Sequence, residues 1–244
     1  MIPWRATTIL TACMTVFFPA TLVGHDGGCT DNVVEGKATS EDKATSEDRA
    51  TAADKATEEQ FAALFDGKTL DGWNGDETQF RVEQGTVVAG SVKSEIPHNF
   101  FLSTVEEFDD FELRLEFRLV GDETNAGVQL RSKRIPDHHE MIGYQADLGA
   151  GYWGALYDES RRNRVLLAPK KEDIARVLKA GEWNEYRILC EGSHLQLWIN
   201  DFRTVDYTET DATIEQSGLI ALQIHGGPAG EAHYRNIRVR KIAK

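Results

Sequence analysis

The sequence predicts an all-β protein, a two-sheet antiparallel sandwich with one short helix. Residues 111–119 alternate strictly between apolar and charged side chains, which is typical of a strand with one buried and one solvated face. Many short segments of strand type follow one another with turns between them, and such a pattern favours two packed sheets. The other predicted strands are 79–82, 86–90, 127–131, 143–148, 183–190, 194–199, 202–205, 218–224 and 233–241.

Two local signals refine this prediction. Asn200 and Asp201 lie between two strand patterns and indicate a hairpin turn, because these residue types tolerate the left-handed backbone that tight turns need. Residues 171–178 place Ile174, Val177 and Leu178 on one face at helical spacing, which predicts the single helix.

The first 24 residues predict a secretory signal peptide, with Arg5 before the apolar stretch 9–18 and small residues up to position 24. This stretch is shorter than the ~20 residues that cross a bilayer, so we expect no transmembrane segment and a secreted or periplasmic protein. Residues 10–13 also fit a bacterial lipoprotein cleavage box, which would place a lipid on Cys13. The apolar stretch is short before Cys13 and continues after it, which favours simple export.

Residues 37–60 repeat a hexapeptide of the type Lys-Ala-Thr-Ser-Glu-Asp four times. They contain no apolar side chain larger than that of Ala, so burial cannot offset the ~1–2 kcal/mol per residue that ordering a backbone costs. We therefore predict a disordered tether over 25–60 and a folded domain over 61–244.

Charge and cysteine content exclude several classes of protein. The net charge is −13, and no Lys/Arg cluster alternates with aromatic residues, so nucleic acid is not an expected partner. The three cysteines are too few for a disulfide scaffold or a multi-cysteine zinc site. Cys190 lies within a predicted strand, and we expect a small core residue there.

Five motifs occur in one order along the predicted domain: residues 64–73, 110–117, 125–131, 181–186, and 218–225 with 234–238. Together they resemble the 3-keto-disaccharide hydrolase domain family over nearly all of 61–244. The resemblance implies a concanavalin A-like jelly roll of the glucanase type and cleavage of glycosides whose sugar a separate 3-dehydrogenase has oxidised at C3. It also implies a divalent metal in some members.

The implied chemistry sets three demands on a site. A ketone at C3 acidifies the C2 proton, so a base can remove it, and the enolate then expels the substituent at C1 before water adds. The site needs a base near C2, a cation or donor at the enolate oxygen, and an acid for the leaving group. A bound metal can fill the second role.

Two predicted strands carry polar side chains at two-residue spacing, Gln145 with Asp147 and Gln223 with His225. Alternate side chains of a strand share a face, so each pair predicts part of a polar cleft. With the resemblance, we assign Asp147 and His225 to acid, base or metal-ligand roles, Arg131 to the enolate oxygen, and both glutamines to sugar hydroxyls. The alternatives are a turn-capping Asp147, a structural His225 and a surface Arg131.

Aromatic residues follow the Gln–Asp strand in a glycine-rich loop. Tyr152, Trp153 and Tyr157 favour a platform on which sugars stack, although aromatic residues in a sandwich are often core residues. Tyr144, from the same strand as Gln145, is assigned to substrate binding with them.

Asp158 and Glu159 precede a pair of arginines, so they predict either an ion network or part of the acid/base set. Because they are adjacent, they do not fit the two facing carboxylates of an ordinary glycosidase. His138, His139 and Glu140 predict an exposed loop tip, since adjacent residues on an extended chain point apart.

The expected function is an exported enzyme that cleaves 3-keto-glycosides. The alternative is a non-catalytic carbohydrate-binding module, because jelly rolls host lectins as readily as hydrolases. The repeat tether and Gly143, where the family often has an acidic residue, favour binding, whereas the polar strand pairs favour catalysis. A retaining glycosidase of laminarinase type is disfavoured because no predicted strand carries an E-x-D-x-x-E motif along its length.

Overall fold

Two antiparallel sheets pack face to face in a computed structural model that describes residues 60–149 and 151–243. The predicted signal peptide and all of the predicted tether except its last residue lie outside the described residues. The strands are β1 (Ala62–Ala63), β2 (Trp73–Asn74), β3 (Phe80–Glu83), β4 (Thr86–Ser91), β5 (Phe100–Phe108), β6 (Phe111–Val120), β7 (Asn125–Arg134), β8 (Met141–Gly149), β9 (Leu156–Glu159), β10 (Arg164–Leu167), β11 (Asn184–Glu191), β12 (His194–Ile199), β13 (Phe202–Thr208), β14 (Gly218–Ile224) and β15 (Gly230–Lys241).

The first sheet has eight strands in the order β13-β12-β11-β6-β15-β4-β3, with β1 added beside β15. The second sheet has seven strands in the order β10-β9-β8-β7-β14-β5-β2. All pairings between these strands are antiparallel. The predicted all-β jelly-roll sandwich is therefore confirmed.

Period-two alternation places the core between the two sheets. The odd residues of β6, Phe111 to Phe117, are fully buried, as the alternation predicts. The second sheet faces them with another buried set from β7, β8 and β14: Ala126, Val128, Leu130, Tyr144, Ala146, Leu148, Ile220, Leu222 and Ile224. Burial of large apolar side chains is worth about 1.5–3 kcal/mol each, so this layer holds the two sheets together.

The predicted hairpin and helix are both present. Asn200 and Asp201 have φ values of 46° and 65°, the left-handed pair expected between β12 and β13. The helix α1 spans Lys171–Val177 and buries Ile174. It ends at Leu178, whose backbone is extended and whose N–H bonds the Ile174 carbonyl.

Cys190 is a buried free thiol in the core, as predicted, and burial raises its pKa to about 12. None of the helical structure in the described ranges is both long and apolar enough to cross a membrane.

The outer face of the second sheet, turned away from the first sheet, carries buried polar side chains. Gln129 and Gln223 are fully buried there, while Gln145 and Asp147 are 3% and 4% exposed. Polar groups lose hydration when they are buried, so this face has to supply partners for them.

Candidate active site

A polar cleft of about 350 Å³ opens on the outer face of the second sheet. The strand register brings its floor together, since Gln145 on β8 lies opposite Gln129 on β7 and Tyr157 on β9. The residues that line the cleft are Asn99, Asn125, Gln145, Asp147, Tyr152, Tyr157, Glu159 and His225.

A chain of hydrogen bonds leads across the floor to Asp147. The Ser132 hydroxyl donates to Gln129 Oε1 at 2.6 Å, and Gln129 Nε2 donates to Gln145 Oε1 at 2.8 Å. Gln145 Nε2 then donates to Asp147 Oδ1 at 2.7 Å. Since each amide uses its oxygen as acceptor and its nitrogen as donor, the chain fixes the orientation of the Asp147 carboxyl group.

Gly127 makes room for this chain. It lies opposite Asp147 in the β7–β8 register, and a Cβ atom at this position would come 2.7 Å from the Gln145 Cδ atom. Any larger residue would therefore displace the Gln145 amide, which makes Gly127 a positioning residue for Asp147.

Two carboxyl groups of the cleft have strongly raised pKa values. Burial raises the pKa of Asp147 to about 7, opposed by the Gln145 hydrogen bond and assisted by the charge of Glu159. Burial also raises the pKa of Glu159 to about 7, with the charge of Glu140 as the next cause and the Ser160 N–H acting in the opposite direction. Both groups can therefore take up or release a proton near neutral pH.

Two further side chains on this face carry buried polar atoms without a hydrogen-bond partner among the described residues. These atoms are both amide atoms of the fully buried Gln223 and the Oδ1 atom of Asn125. Gln223 lies opposite Gly127 in the β7–β14 register, and Gly127 lies opposite Asp147, so Gln223 is two strands away from Asp147. It is not among the residues that line the cleft. Buried polar groups in proteins are nearly always paired, so these atoms call for a water, an ion or a functional partner.

His225 lies at the rim, directly after β14. Its Nδ1 atom is 2.6 Å from the Gly226 carbonyl oxygen, which requires a proton on Nδ1 and leaves Nε2 as an acceptor in the neutral ring. The Gly226 N–H donates to Asn99 Oδ1 at 2.9 Å, and Asn99 Nδ2 donates to Glu140 at 3.0 Å. These bonds join the loops on one side of the cleft.

The structure does not bring Arg131 to the cleft, and its assignment to an enolate oxygen was wrong. A β-bulge between Leu130 and Lys133 interrupts the alternation of β7, and Arg131 has a φ of 47° there. Its guanidinium group donates to the carbonyl oxygens of Asp109 and Gly192, both at 2.6 Å, and to the Asp110 carboxylate at 2.8 Å. Arg131 therefore ties two turns of the sandwich together.

Tyr144 and Trp153 also lie away from the polar cleft. Tyr144 is on the inner face of β8, where its hydroxyl donates to Glu209 Oε2 at 2.6 Å. Trp153 stacks against Phe117 with ring centroids 6.1 Å apart and lines a neighbouring apolar pocket. Of the aromatic residues that we assigned to substrate binding, the cleft contains Tyr152 and Tyr157.

Asp158 and Glu159 were predicted to belong either to an ion network or to the acid/base set, and the structure places only Asp158 in an ion network. Asp158 points inward, is fully buried, and pairs with Arg161 at 2.8 Å and with Arg162. Arg162 continues this network to Glu209 at 2.6 Å. Glu159 points outward into the cleft, because neighbours on a strand face opposite sides.

Sequence reasoning did not assign Asn99 or Asn125 to the site, and it left Glu159 open between an ion network and the acid/base set. For Glu159 a signal was present, since Tyr157 and Glu159 show the same two-residue spacing as Gln145 and Asp147. Asn99 and Asn125 lie in or next to loops, where spacing carries no information about facing.

The cleft does not offer a ready set of metal ligands. In the described ranges, no three side chains of His, Cys, Asp or Glu are grouped so that they could hold a metal ion. The residues therefore do not fit the metal that the family resemblance implies for some members, and no step below passes through one.

Solved structures share this fold. A protein of Parabacteroides distasonis, described provisionally as a glycosyl hydrolase, is 17% identical and has a TM-score of 0.59 over 78% of this chain and 97% of its own. A second protein of that organism with the same description is 20% identical, with a TM-score of 0.57 over 75% of this chain and 99% of its own. The carbohydrate-binding module CBM66 of Bacillus subtilis is 14% identical, with a TM-score of 0.54 over 70% and 96%. The class of protein is thus a two-sheet jelly roll.

The sequence matches the 3-keto-alpha-glucoside-1,2-lyase-like domain family over residues 60–240. Because this match covers most of the chain, the protein belongs to that family, and the resemblance drawn from the five motifs is confirmed. A comparison with curated proteins found no match.

Proposed function

We propose that this protein cleaves 3-keto-glycosides by elimination and hydration in the polar cleft, with Asp147 as the base. The observation that carries this proposal is a buried carboxyl group, oriented by a chain of amides, whose pKa is about 7. A base with such a pKa is half ionised at neutral pH and is strong enough to remove the C2 proton beside a ketone. Membership of the family supports this reaction class.

Glu159 is the partner that the elimination requires. Asp147 takes the C2 proton, the electron pair moves into the enolate, and the C1–O bond then breaks. Glu159, with a pKa of about 7, gives its proton to the leaving oxygen. Water then adds its hydroxyl group to C1 while Glu159 takes the proton of the water and Asp147 returns the proton to C2, so both carboxyl groups return to their starting states.

The remaining polar groups of this face bind the substrate in this proposal. Gln145 contacts a sugar hydroxyl from the floor, and the Asn125 oxygen, which has no hydrogen-bond partner among the described residues, accepts from another. His225 meets the leaving group at the rim, and the rings of Tyr152 and Tyr157 carry the apolar face of the sugar.

The proposal also concerns where the protein acts and what precedes it. The predicted signal peptide supports a secreted or periplasmic location, and a sugar 3-dehydrogenase has to supply the ketone.

The deciding experiment follows release of 3-keto-glucose from 3-keto-trehalose and 3-keto-lactose by the purified full chain, with and without EDTA. Asp147→Asn should lose turnover by at least a hundredfold and still bind substrate, because the amide keeps the shape but cannot accept the proton. The matched control is Asp122→Asn, an exposed carboxylate in a turn outside the cleft, and it should act as wild type.

Full activity of the Asp147→Asn variant would refute the assignment of the base. Saturable binding of 3-keto-glycosides without release by wild type would instead establish a carbohydrate-binding module.

A further inference from the structure

An apolar pocket of about 310 Å³ lies next to the polar cleft, between the loop after β8 and the helix α1. The two cavities share one side chain, that of Tyr152, which lines both. The two cavities are therefore neighbours, and a molecule in the cleft that reached past Tyr152 would enter this second space.

The walls of the apolar pocket are built from two elements. The loop supplies the rings of Tyr152 and Trp153, α1 supplies Ile174 and Ala175, and Leu178 follows directly after the helix. The Trp153 ring is held in place by stacking against Phe117 in the core, so the pocket keeps a flat aromatic wall.

The polar content of the pocket differs sharply from that of the cleft. The cleft is lined by two carboxyl groups and three amides, whereas none of the described residues that line the pocket has a carboxyl group or a side-chain amide. Among them Lys171 alone is charged, and it is exposed on the first turn of α1. A second sugar would bring several hydroxyl groups, and this wall offers few partners for them.

We infer that the apolar pocket is an aglycone subsite that receives a flat aromatic group attached to the 3-keto sugar. This inference rests on the proposed function, because it places the sugar ring over Asp147 and the leaving group beyond Tyr152. The pocket has the Trp153 ring on one side and apolar residues of α1 on the other, and an apolar lining with an aromatic wall suits an aromatic ring better than a second sugar. The substrate class is therefore that of aryl or arylalkyl 3-keto-glycosides.

The test compares 2-phenylethyl and methyl 3-keto-glucosides, each as both anomers, on the full chain. Both leaving groups are simple alkoxides, so a difference in kcat/KM reports binding of the ring rather than leaving-group chemistry. We expect wild type to favour the phenylethyl substrate by about tenfold, chiefly through KM, because the ring leaves water on binding.

Ala175→Phe fills the pocket from the helix side and should remove this preference. The matched control is Arg176→Phe, which introduces the same ring at the next position, outside the pocket lining, and should keep the preference. An unchanged preference in the Ala175→Phe variant, or an equal effect of both variants, would overturn the subsite. If Ala175→Phe lost activity on 3-keto-lactose alone, the pocket would bind a second sugar, and the aromatic subsite would be overturned.

Binding of unoxidised 2-phenylethyl glucoside, measured by calorimetry, separates this inference from the proposed function. If no keto-glycoside is cleaved, yet this glucoside binds about tenfold more tightly than methyl glucoside and the gain disappears with Ala175→Phe, the pocket stands and the catalytic proposal falls. If keto-glycosides are cleaved but the phenyl ring improves neither kcat/KM nor binding, the aromatic subsite is overturned and the catalytic proposal stands.

Discussion

Replacing Asp147 with Asn should stabilise the folded protein at neutral pH although it removes the proposed base. Burial raises the pKa of this carboxyl group from its ordinary value of 3.8 to about 7, so the folded state resists ionisation. At 1.36 kcal/mol per pKa unit the shift corresponds to about 4 kcal/mol, which is an upper limit because structural relaxation reduces such penalties. The Asn side chain can still accept the hydrogen bond from Gln145 through its own oxygen.

The sign of the pH dependence follows from the direction of the shift. Below pH ~4 Asp147 is protonated in both the folded and the unfolded state, so its ionisation costs nothing. Between pH ~4 and ~7 the carboxyl group ionises only in the unfolded state, and the free energy of unfolding of the wild type falls. Above pH ~7 both states are ionised and the penalty stays constant.

Urea unfolding of wild type and Asp147→Asn at pH 4.5 and pH 8, followed by tryptophan fluorescence, measures this effect. The stability difference between the two proteins should shift in favour of the variant by up to about 3 kcal/mol from pH 4.5 to pH 8, because about 1 kcal/mol of the penalty is already present at pH 4.5. Any pH-independent cost of the new amide group cancels in this comparison. A stability difference that is the same at both pH values would refute the argument that Asp147 is buried with a raised pKa. The exposed control is Asp122→Asn, whose stability relative to wild type should not change between the two pH values.

Three other substitutions probe the site and its support. A plot of wild-type kcat/KM against pH should be bell-shaped with a maximum near pH 7. Glu159→Gln should lower kcat/KM at least tenfold and remove the alkaline limb of the plot, because Glu159 acts as the acid. An unchanged pH profile would contradict this role. Gly127→Ala should lower kcat of the folded protein at least tenfold and cost about 1–3 kcal/mol in urea unfolding, since its Cβ atom displaces the buried Gln145 from Asp147. Normal kcat would show that the amide chain does not matter. Arg131→Ala should cost about 3–5 kcal/mol in urea unfolding, because it leaves the buried partners of a charged group unpaired, and the folded fraction should keep wild-type kcat.

The fold was predictable because period-two alternation reports burial directly. Residues 111–119 were predicted as a strand and form most of β6. The strand β5 was not predicted, because both of its faces are covered in part: Leu102 lies in the main core, while Phe101 packs with Met141 on the outer face. A strand that is covered on both sides shows no alternation.

The alternation of apolar and charged residues along a strand also does not show which of the charged residues are buried. Glu112 lies on the solvated face of β6 by pattern, yet it is 1% exposed. Arg114, Arg187 and Arg240 from three neighbouring strands surround its carboxylate and hold its pKa below the usual range against the opposing effect of burial. This cluster depends on strand order, which the spacing of residues within one strand does not contain.

The candidate site was predictable only where the strands are regular. Gln145 and Asp147 share a face as their spacing requires, and the hydrogen bond between them confirms it. Two residues beyond Gln129 the same rule predicts Arg131 on the cleft face, but the bulge in β7 reverses the facing and Ser132 takes that side instead. A bulge depends on the partner strand, so one strand read alone does not reveal it.

The bulge also has a consequence for the proposed chemistry. By turning Ser132 toward the outer face, it supplies the donor that begins the chain of hydrogen bonds ending at Asp147. Without this donor the Gln129 oxygen would lack its partner, and both glutamine amides could rotate. The bulge in β7 therefore has two effects. It directs Arg131 to the turns, where Arg131 stabilises the sandwich, and it directs Ser132 to the outer face, where Ser132 helps to orient the Asp147 carboxyl group.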